Sequence, residues 1–384
     1  MKNLIILGAT GSIGTQTLDV VRQYKDEYCV IAMSVGHDLE LSAKIIEEFK
    51  PKQVCCRKID DAISLIEKFP DIEYSYGDEG LIKTATFDED NKNVLLVVAL
   101  VGSVGLLPTV KAIEIGRNIA LANKETLVTA GEIVMKLAKE NNVTIFPIDS
   151  EHSAIYQTIL GEKHSEIEKI IITASGGSLR DYNASELKNV TIEEVLNHPN
   201  WKMGAKITVD SSTMMNKAFE VIEAHHLFNV PYDKIETIIH RESIVHSLVE
   251  FKDSSVKAQL ANSDMHIPIL YALSYPKRLK YENKLSLAGK NLTFSEMDFD
   301  RYPCLKLAYE AMKKGNIYPT VLNASNNIAV TLFLEGIINY SQIEEIIRDA
   351  LSEVVEVSEL TIDVILEVEK EVRFKIIKKY ERGF

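Results

Sequence analysis

The chain has 384 residues, 46% hydrophobic and 26% charged, a composition that supports buried cores and excludes a disordered polymer. Its length exceeds what one hydrophobic core sustains, so two or three domains are expected. A net charge of −13 excludes a general nucleic-acid or anionic-membrane binder, whose surface needs a basic excess, but leaves room for a small anionic ligand held by a local cluster of donors.

The apolar run that ends at Gly8 is too short for a signal peptide, and no stretch approaches the ~20 apolar residues of a membrane span. The cysteines are Cys29, Cys55, Cys56 and Cys304; none forms a C-x-x-C pair and two are adjacent. That spacing suits reduced thiols, so a cytoplasmic protein is expected.

Over residues 1–149, strand-like and helix-like patterns alternate. Leu4–Leu7 reads as strand, Ile13–Tyr24 as helix, Val30–Val35 as strand and Leu39–Phe49 as helix. Val94–Val101 reads as a buried strand, with further strands at Ile119–Ala122 and Val143–Ile148 and helices near Thr109–Ile115 and Thr126–Glu140. This order predicts an α/β fold with an N-terminal Rossmann-like parallel sheet covered on both faces. Residues 150–284 predict a second, α+β domain. There Ile170–Thr173 leads into a glycine-containing turn, a polar loop around Asn197–Lys206 holds Trp201, and a helix spans Met214–Leu227. Strands at Ile235–His240 and Ile244–Phe251 suggest an antiparallel sheet in this domain. Residues 285–301 show little periodicity and read as a linker; residues 302–384 read as a C-terminal helical domain that includes the amphipathic run Ser358–Tyr380.

Gly8-Ala9-Thr10-Gly11-Ser12-Ile13-Gly14 lies between the first strand and the first helix. Glycines there let the backbone approach a pyrophosphate, and the helix N-terminus offers free N–H groups and a positive dipole end. The spacing is G-x-x-G-x-x-G, so its position opening a βα unit carries more weight than the motif itself. After the second strand come Gly36, His37 and Asp38. A carboxylate at that place favours the ribose hydroxyl of NAD, and a basic group favours the 2′-phosphate of NADP. Gly36 leaves room and His37 leans toward NADP, while Asp38 opposes it.

Asp149-Ser150-Glu151 follows a strand. In an extended segment Asp149 and Glu151 project to one side and Ser150 to the other, so the two carboxylates suit one cation. Asn216 and Glu220 are i,i+4 neighbours on a helix with Lys217 beside them, which makes Glu220 a third candidate ligand. All-oxygen ligation favours Mg²⁺ or Mn²⁺ over Zn²⁺. Taken alone, such D-x-E pairs are usually solvated. Ser175, His198, Ser211, Asn216, Lys217 and Lys124 supply enough donors for a phosphate if the fold gathers them, although each alone is more commonly a cap, a turn former or a surface charge. His152, His225, His226, His240, His246 and His266 read as ordinary structural histidines, with His246 at most supporting the site from behind.

Several motifs occur in register: Leu7 through Gly14, Leu121 through Glu125, Pro147 through His152, His198 through Gly204, Val209 through Lys217 and Asp300 through Ala308. Together they resemble the 1-deoxy-D-xylulose 5-phosphate reductoisomerase family over essentially the whole chain. The resemblance implies an NADPH domain, a catalytic domain with a flap at about 197–206, a helical C-terminal domain and a homodimer. It also implies one divalent cation (Mg²⁺, Mn²⁺ or Co²⁺) held by Asp149, Glu151 and Glu220. Thr10, Gly11, Ser12, Ile13, Gly36, His37, Asp38, Asn123, Glu125 and Gly204 would meet the cofactor. Lys124, Ser150, Glu151, Ser175, His198, Ser211, Asn216, Lys217 and Glu220 would meet the sugar phosphate, with Glu151, Lys124 and His198 as the catalytic groups and Trp201 in the flap. One departure stands out: many family members carry Lys-Asn where this chain has His37-Asp38. The competing readings are another sugar-phosphate or hydroxy-acid dehydrogenase, a semialdehyde dehydrogenase, and a non-catalytic NADP-binding sensor. The semialdehyde reading needs a cysteine within 150–284, where there is none.

Overall fold

The computed structural model describes residues 1–183, 185–201 and 203–381; Lys202, within the expected flap, lies outside the described residues. The chain divides into two compact units. The first comprises residues 1–126, 134–153 and 264–282. Its elements begin with β1 (Lys2–Leu7), α1 (Ser12–Gln23), β2 (Tyr28–Ser34), α2 (Leu39–Phe49), β3 (Gln53–Cys56) and α3 (Ile59–Ile66). They continue with β4 (Glu73–Tyr76), α4 (Gly77–Ala85), β5 (Val94–Val98), α5 (Leu106–Glu114), β6 (Asn118–Leu121), α6 (Lys124–Glu140) and β7 (Ile145–Pro147).

The strands form one parallel sheet in the order β4-β3-β2-β1-β5-β6-β7. Parallel strands are buried on both faces, which is why β1 and β5 read as unbroken apolar runs: Leu4, Ile5, Ile6, Leu96, Val97 and Val98 are all fully buried. The strand expected over Val94–Val101 stops at Val98, one residue before Ala99 makes its last bond to β1, at Leu7 O. Strand order reverses between β1 and β5, the place where a doubly wound sheet opens a crevice for a ligand.

The second unit comprises residues 127–133, 154–263 and 283–384. In chain order the elements are α7 (Ser150–Thr158), β8 (Ile167–Ala174), α8 (Ile192–Leu196), α9 (Ala205–Ser212), α10 (Met215–Phe228), β9 (Ile235–Ile239), β10 (Val245–Phe251) and β11 (Val256–Leu260). After α11 (His266–Ser274), which packs on α1 in the first unit, come β12 (Ser295–Glu296), α12 (Pro303–Lys314), α13 (Tyr318–Leu334), α14 (Ser341–Ser352) and α15 (Ile362–Glu381). The sheet order is β11-β10-β8-β9-β12, with β8 and β9 parallel and the other neighbours antiparallel.

The expected antiparallel sheet is mixed: β10 pairs antiparallel with β8 and β11, and β12 with β9, but β8 and β9 run parallel, so β9 and β10 are not neighbours. The connection crosses the end of β8: His240 N–H donates to Ala174 O, and the His240 ring accepts from the N–H groups of Ile244 and Val245. A side chain, not a hairpin turn, organises the crossing. The segment 285–301 is mostly irregular, as expected, but contributes β12 to the sheet edge.

Helix α13 carries Thr320, Asn323 and Asn326 fully buried among apolar neighbours. The Asn326 Nδ2 donates to Asp210 Oδ1 at 2.8 Å, and Lys206 Nζ approaches Asp210 Oδ2 at 2.8 Å, so the C-terminal helices grip α9 through one buried carboxylate. Removing the amide leaves that carboxylate with one donor fewer. Asn326→Ala is therefore expected to cost about 1–3 kcal/mol in chemical unfolding; an unfolding midpoint like that of the unaltered chain would contradict the bond's importance. Among the described residues, no helix is long and apolar enough to cross a membrane.

Candidate active site

The glycine loop is built by close backbone approach. Gly8 has φ +89°, and a Cβ there would lie 2.6 Å from Ala99 O. A Cβ on Gly14 would come within 2.1 Å of Gly8 O. Helix α1 starts at Gly11 without a side-chain cap, which leaves its first N–H groups for an anion. Thr10 Oγ1 accepts from Gly36 N–H at 2.8 Å, tying this loop to the end of β2.

His37 is exposed there, whereas Asp38 caps α2 by accepting from Leu41 N–H at 2.9 Å. The carboxylate that spoke against NADP therefore has a helix to cap. Asn123 and Glu125 are buried: Asn123 caps α6 through Thr126 N–H, and Glu125 Oε1 accepts from Gly102 N–H. Both brace the loop that follows β5.

Asp149-Ser150-Glu151 is not extended, contrary to expectation. Asp149 is a favoured N-cap residue and starts α7: its Oδ1 accepts from Glu151 N–H at 3.1 Å and its carbonyl from Ser153 N–H at 2.8 Å. The capping turn still gathers the two carboxylates, with ligand oxygens of Asp149 and Glu151 within 4.8 Å of each other. Ser150 is not turned away either, since its hydroxyl donates to Glu151 Oε2 at 2.5 Å. Lys124 pairs with the Asp149 carboxylate, and buried His152 places Nδ1 3.4 Å from it.

In the second unit Glu220 is fully buried on α10. Asn216 Nδ2 donates to it at 2.5 Å and Lys217 pairs with it, as the i,i+4 and i,i+3 spacing required. Hard carboxylate oxygens of this kind suit a divalent cation such as Mg²⁺ or Mn²⁺, and offer neither the sulfur nor the imidazole that zinc favours.

Ser175 follows β8 and opens a turn through Gly176 (φ +89°) and Gly177 (φ +76°). A Cβ on Gly177 would stand 2.6 Å from Ser211 O and 2.7 Å from Ser212 Cα, so only glycine lets this turn lie on α9. Helix α9 was not foreseen; it begins after Gly204 and buries Ser211, while Ala205 and Lys206 of the expected loop already belong to it. Lys217 is buried beside Glu220, and Asn216 is half-buried.

His198 Nδ1 accepts from the N–H groups of Asn200 (3.2 Å) and Trp201 (3.0 Å), while Nε2 lies 3.1 Å from Ser175 Oγ. The Trp201 ring sits 6.0 Å from the His246 ring. Arg180, which sequence patterning did not single out, donates to Ser175 O and to Asn200 Oδ1.

Burial, reinforced by the Arg180 charge, lowers the His198 pKa to about 4. Its folded pKa thus lies below the unfolded value of about 6.5, so the stabilisation it brings is complete above that value and is lost as pH falls through about 4. Histidine ring NMR is expected to show His198 neutral across the physiological range. A midpoint near 6.5 would contradict that.

Three family descriptions match along the chain: 1-deoxy-D-xylulose 5-phosphate reductoisomerase over residues 4–131, its C-terminal domain over 145–228, and the DXP reductoisomerase C-terminal domain over 260–375. A 1-deoxy-D-xylulose 5-phosphate reductoisomerase of Geobacillus sp. (strain WCH70) is 54% identical over 377 residues, covering 97% of this chain and 98% of that protein. One from Macrococcus caseolyticus (strain JCSC5402) is 52% identical over 383 residues, covering 99% and 100%. Among solved structures, a DOX-P reductoisomerase in complex with NADPH, fosmidomycin and magnesium matches with TM-score 0.92 and 39% identity, covering 99% of this chain and 98% of that one. The Zymomonas mobilis enzyme in complex with NADPH matches with TM-score 0.90 and 34% identity, covering 99% of each. The sequence, matched nearly end to end, and the α/β architecture agree: the chain belongs to the 1-deoxy-D-xylulose 5-phosphate reductoisomerase family.

Proposed function

We infer that the chain is an NADPH- and divalent-metal-dependent oxidoreductase. It rearranges and reduces 1-deoxy-D-xylulose 5-phosphate to 2-C-methyl-D-erythritol 4-phosphate in non-mevalonate isoprenoid biosynthesis. The observation that carries this reading is the match at 54% identity over 97% of the chain.

Asp149, Glu151 and Glu220 would hold one Mg²⁺, Mn²⁺ or Co²⁺. Such an ion would supply Lewis-acid charge to the substrate's oxygens. The chain's own groups do the rest. Ser175, Ser211, Asn216 and Lys217 take the phosphate end; Ser150, Lys124 and His198 take the sugar oxygens. Glu151 moves a proton at a substrate hydroxyl, and Lys124 offsets negative charge as the carbon skeleton rearranges. The N–H groups at Thr10 through Ile13 receive the pyrophosphate, and Gly36 with His37 leaves a place for the ribose 2′-phosphate. Asp38 borders that place while capping α2, and Asn123, Glu125 and Gly204 complete the cofactor's surroundings. His198 and Trp201 exclude water above the sugar.

The same reading divides the chain into a cofactor domain (1–149), a catalytic domain (150–284), a linker (285–301) and a helical domain (302–384), working as a cytoplasmic homodimer without nucleic-acid or membrane partners. The test is product identity. Incubation with the sugar phosphate, NADPH and Mg²⁺ is expected to yield the branched polyol phosphate, with one NADPH consumed per product. NADPH binding with no turnover by folded protein would instead indicate a sensor.

A further inference from the structure

His198, Ser175 and Arg180 form a chain of directed hydrogen bonds within the second unit. A neutral imidazole has one nitrogen that donates and one that accepts. Because Nδ1 accepts from the N–H groups of Asn200 and Trp201, the ring proton resides on Nε2, which therefore donates to Ser175 Oγ at 3.1 Å. The same oxygen accepts from Gly177 N–H at 3.2 Å. A serine hydroxyl has two lone pairs and one proton. With both lone pairs engaged, the Ser175 hydroxyl is left as a donor, suited to a group that only accepts, such as a phosphate oxygen.

That polarity depends on two segments holding their places. Arg180 Nη1 reaches Ser175 O at 3.0 Å, Asn200 Oδ1 at 3.2 Å and Arg241 O at 3.2 Å. Asn200 Nδ2 in turn donates to Arg241 O at 2.9 Å. One guanidinium thus fixes the residue that donates to the phosphate, by its carbonyl, and the segment that carries His198, by the Asn200 amide. Charged donors make the stronger hydrogen bonds, and these three acceptors share the two N–H protons of the one Nη1.

We propose that Arg180 is a positioning residue for the phosphate end of the substrate, acting through Ser175 and Asn200 to keep the Ser175 hydroxyl a dedicated donor. The proposal deepens the functional reading above and rests on it. Arg180 itself does not touch the substrate.

The test uses Arg180→Met, Arg180→Lys, Asn200→Ala and Ser175→Ala, with Arg180→Met/Ser175→Ala as the double variant. Arg180→Met and Asn200→Ala are expected to raise the KM for 1-deoxy-D-xylulose 5-phosphate about tenfold, with a smaller change in kcat and none in the KM for NADPH. Arg180→Lys should recover part of the loss. Ser175→Ala should add little on top of Arg180→Met, since both remove the same donor. Additive losses in that pair, or a lowered Tm with unchanged KM, would overturn the proposal.

Trp201 is the only tryptophan and is adjacent to Asn200, so its emission gives a readout independent of turnover. Asn200→Ala should shift that emission without any substrate present, and unchanged emission counts against the clamp even if Arg180→Met does not fold. Should the unaltered chain fail to turn over the sugar phosphate, the functional reading falls, and Trp201 emission still decides whether the clamp exists.

Discussion

Glu151→Gln is expected to lower kcat by about 10²–10⁴-fold while leaving NADPH affinity unchanged, measured by initial rates at saturating Mg²⁺ and by direct cofactor titration. The substitution keeps the size of the side chain and removes its charge. Glu151 accepts from the Ser150 hydroxyl at 2.5 Å and stands beside Asp149, with ligand oxygens within 4.8 Å, and the proposed function gives it both a ligand's and a proton carrier's role. Near-normal turnover in the variant would remove Glu151 from the catalytic set. Glu220→Gln separates the two roles. Glu220 lies on α10 with Asn216 and Lys217 as its partners, so its loss should raise the Mg²⁺ concentration needed for half-maximal rate more than it lowers the maximal rate. An unchanged metal requirement would exclude it as a ligand.

Gly14→Ala is expected to weaken NADPH binding by at least about tenfold and to lower the Tm. The new Cβ would meet Gly8 O at 2.1 Å and Ala9 Cα at 2.7 Å, contacts with backbone that no rotamer change relieves. The loop must move outward, and Thr10, which receives Gly36 N–H, moves with it. Fluorescence titration of bound NADPH checks this. Affinity equal to that of the unaltered chain would show that the glycine loop does not carry the pyrophosphate.

The N-terminal sheet was legible because buried parallel strands leave unbroken apolar runs, and Leu39–Phe49 matches α2 at both ends. Strands β3 and β4 were not legible: each has four residues, and β4 is half exposed, so neither leaves a period to read. Helix α9 hides because Ile207-Thr208-Val209 is β-branched and Asp210-Ser211-Ser212 is polar; burial among α8, α10 and α13 overrides that weak propensity.

Asp149 shows a different limit. Its grouping with Glu151 was right for a reason the sequence pattern misstated, since an N-cap turn rather than an extended strand brings the oxygens together. The order of β8, β9 and β10 was hidden as well, because strand succession along the chain does not specify which strands pair. Arg180 left no local signal at all. Its acceptors lie 5, 20 and 61 residues away, and only the fold brings them to one guanidinium.

The central claim, that one site couples a nicotinamide to a metal-assisted rearrangement, is tested most directly by following nicotinamide absorbance in metal-depleted protein with 1-deoxy-D-xylulose 5-phosphate. NADPH should be oxidised only after Mg²⁺ or Mn²⁺ is restored, and faster than NADH, because Asp38 is occupied in capping α2 and His37 stands exposed beside Gly36. Oxidation at the same rate without a divalent ion, or none with it in folded protein, would contradict the account.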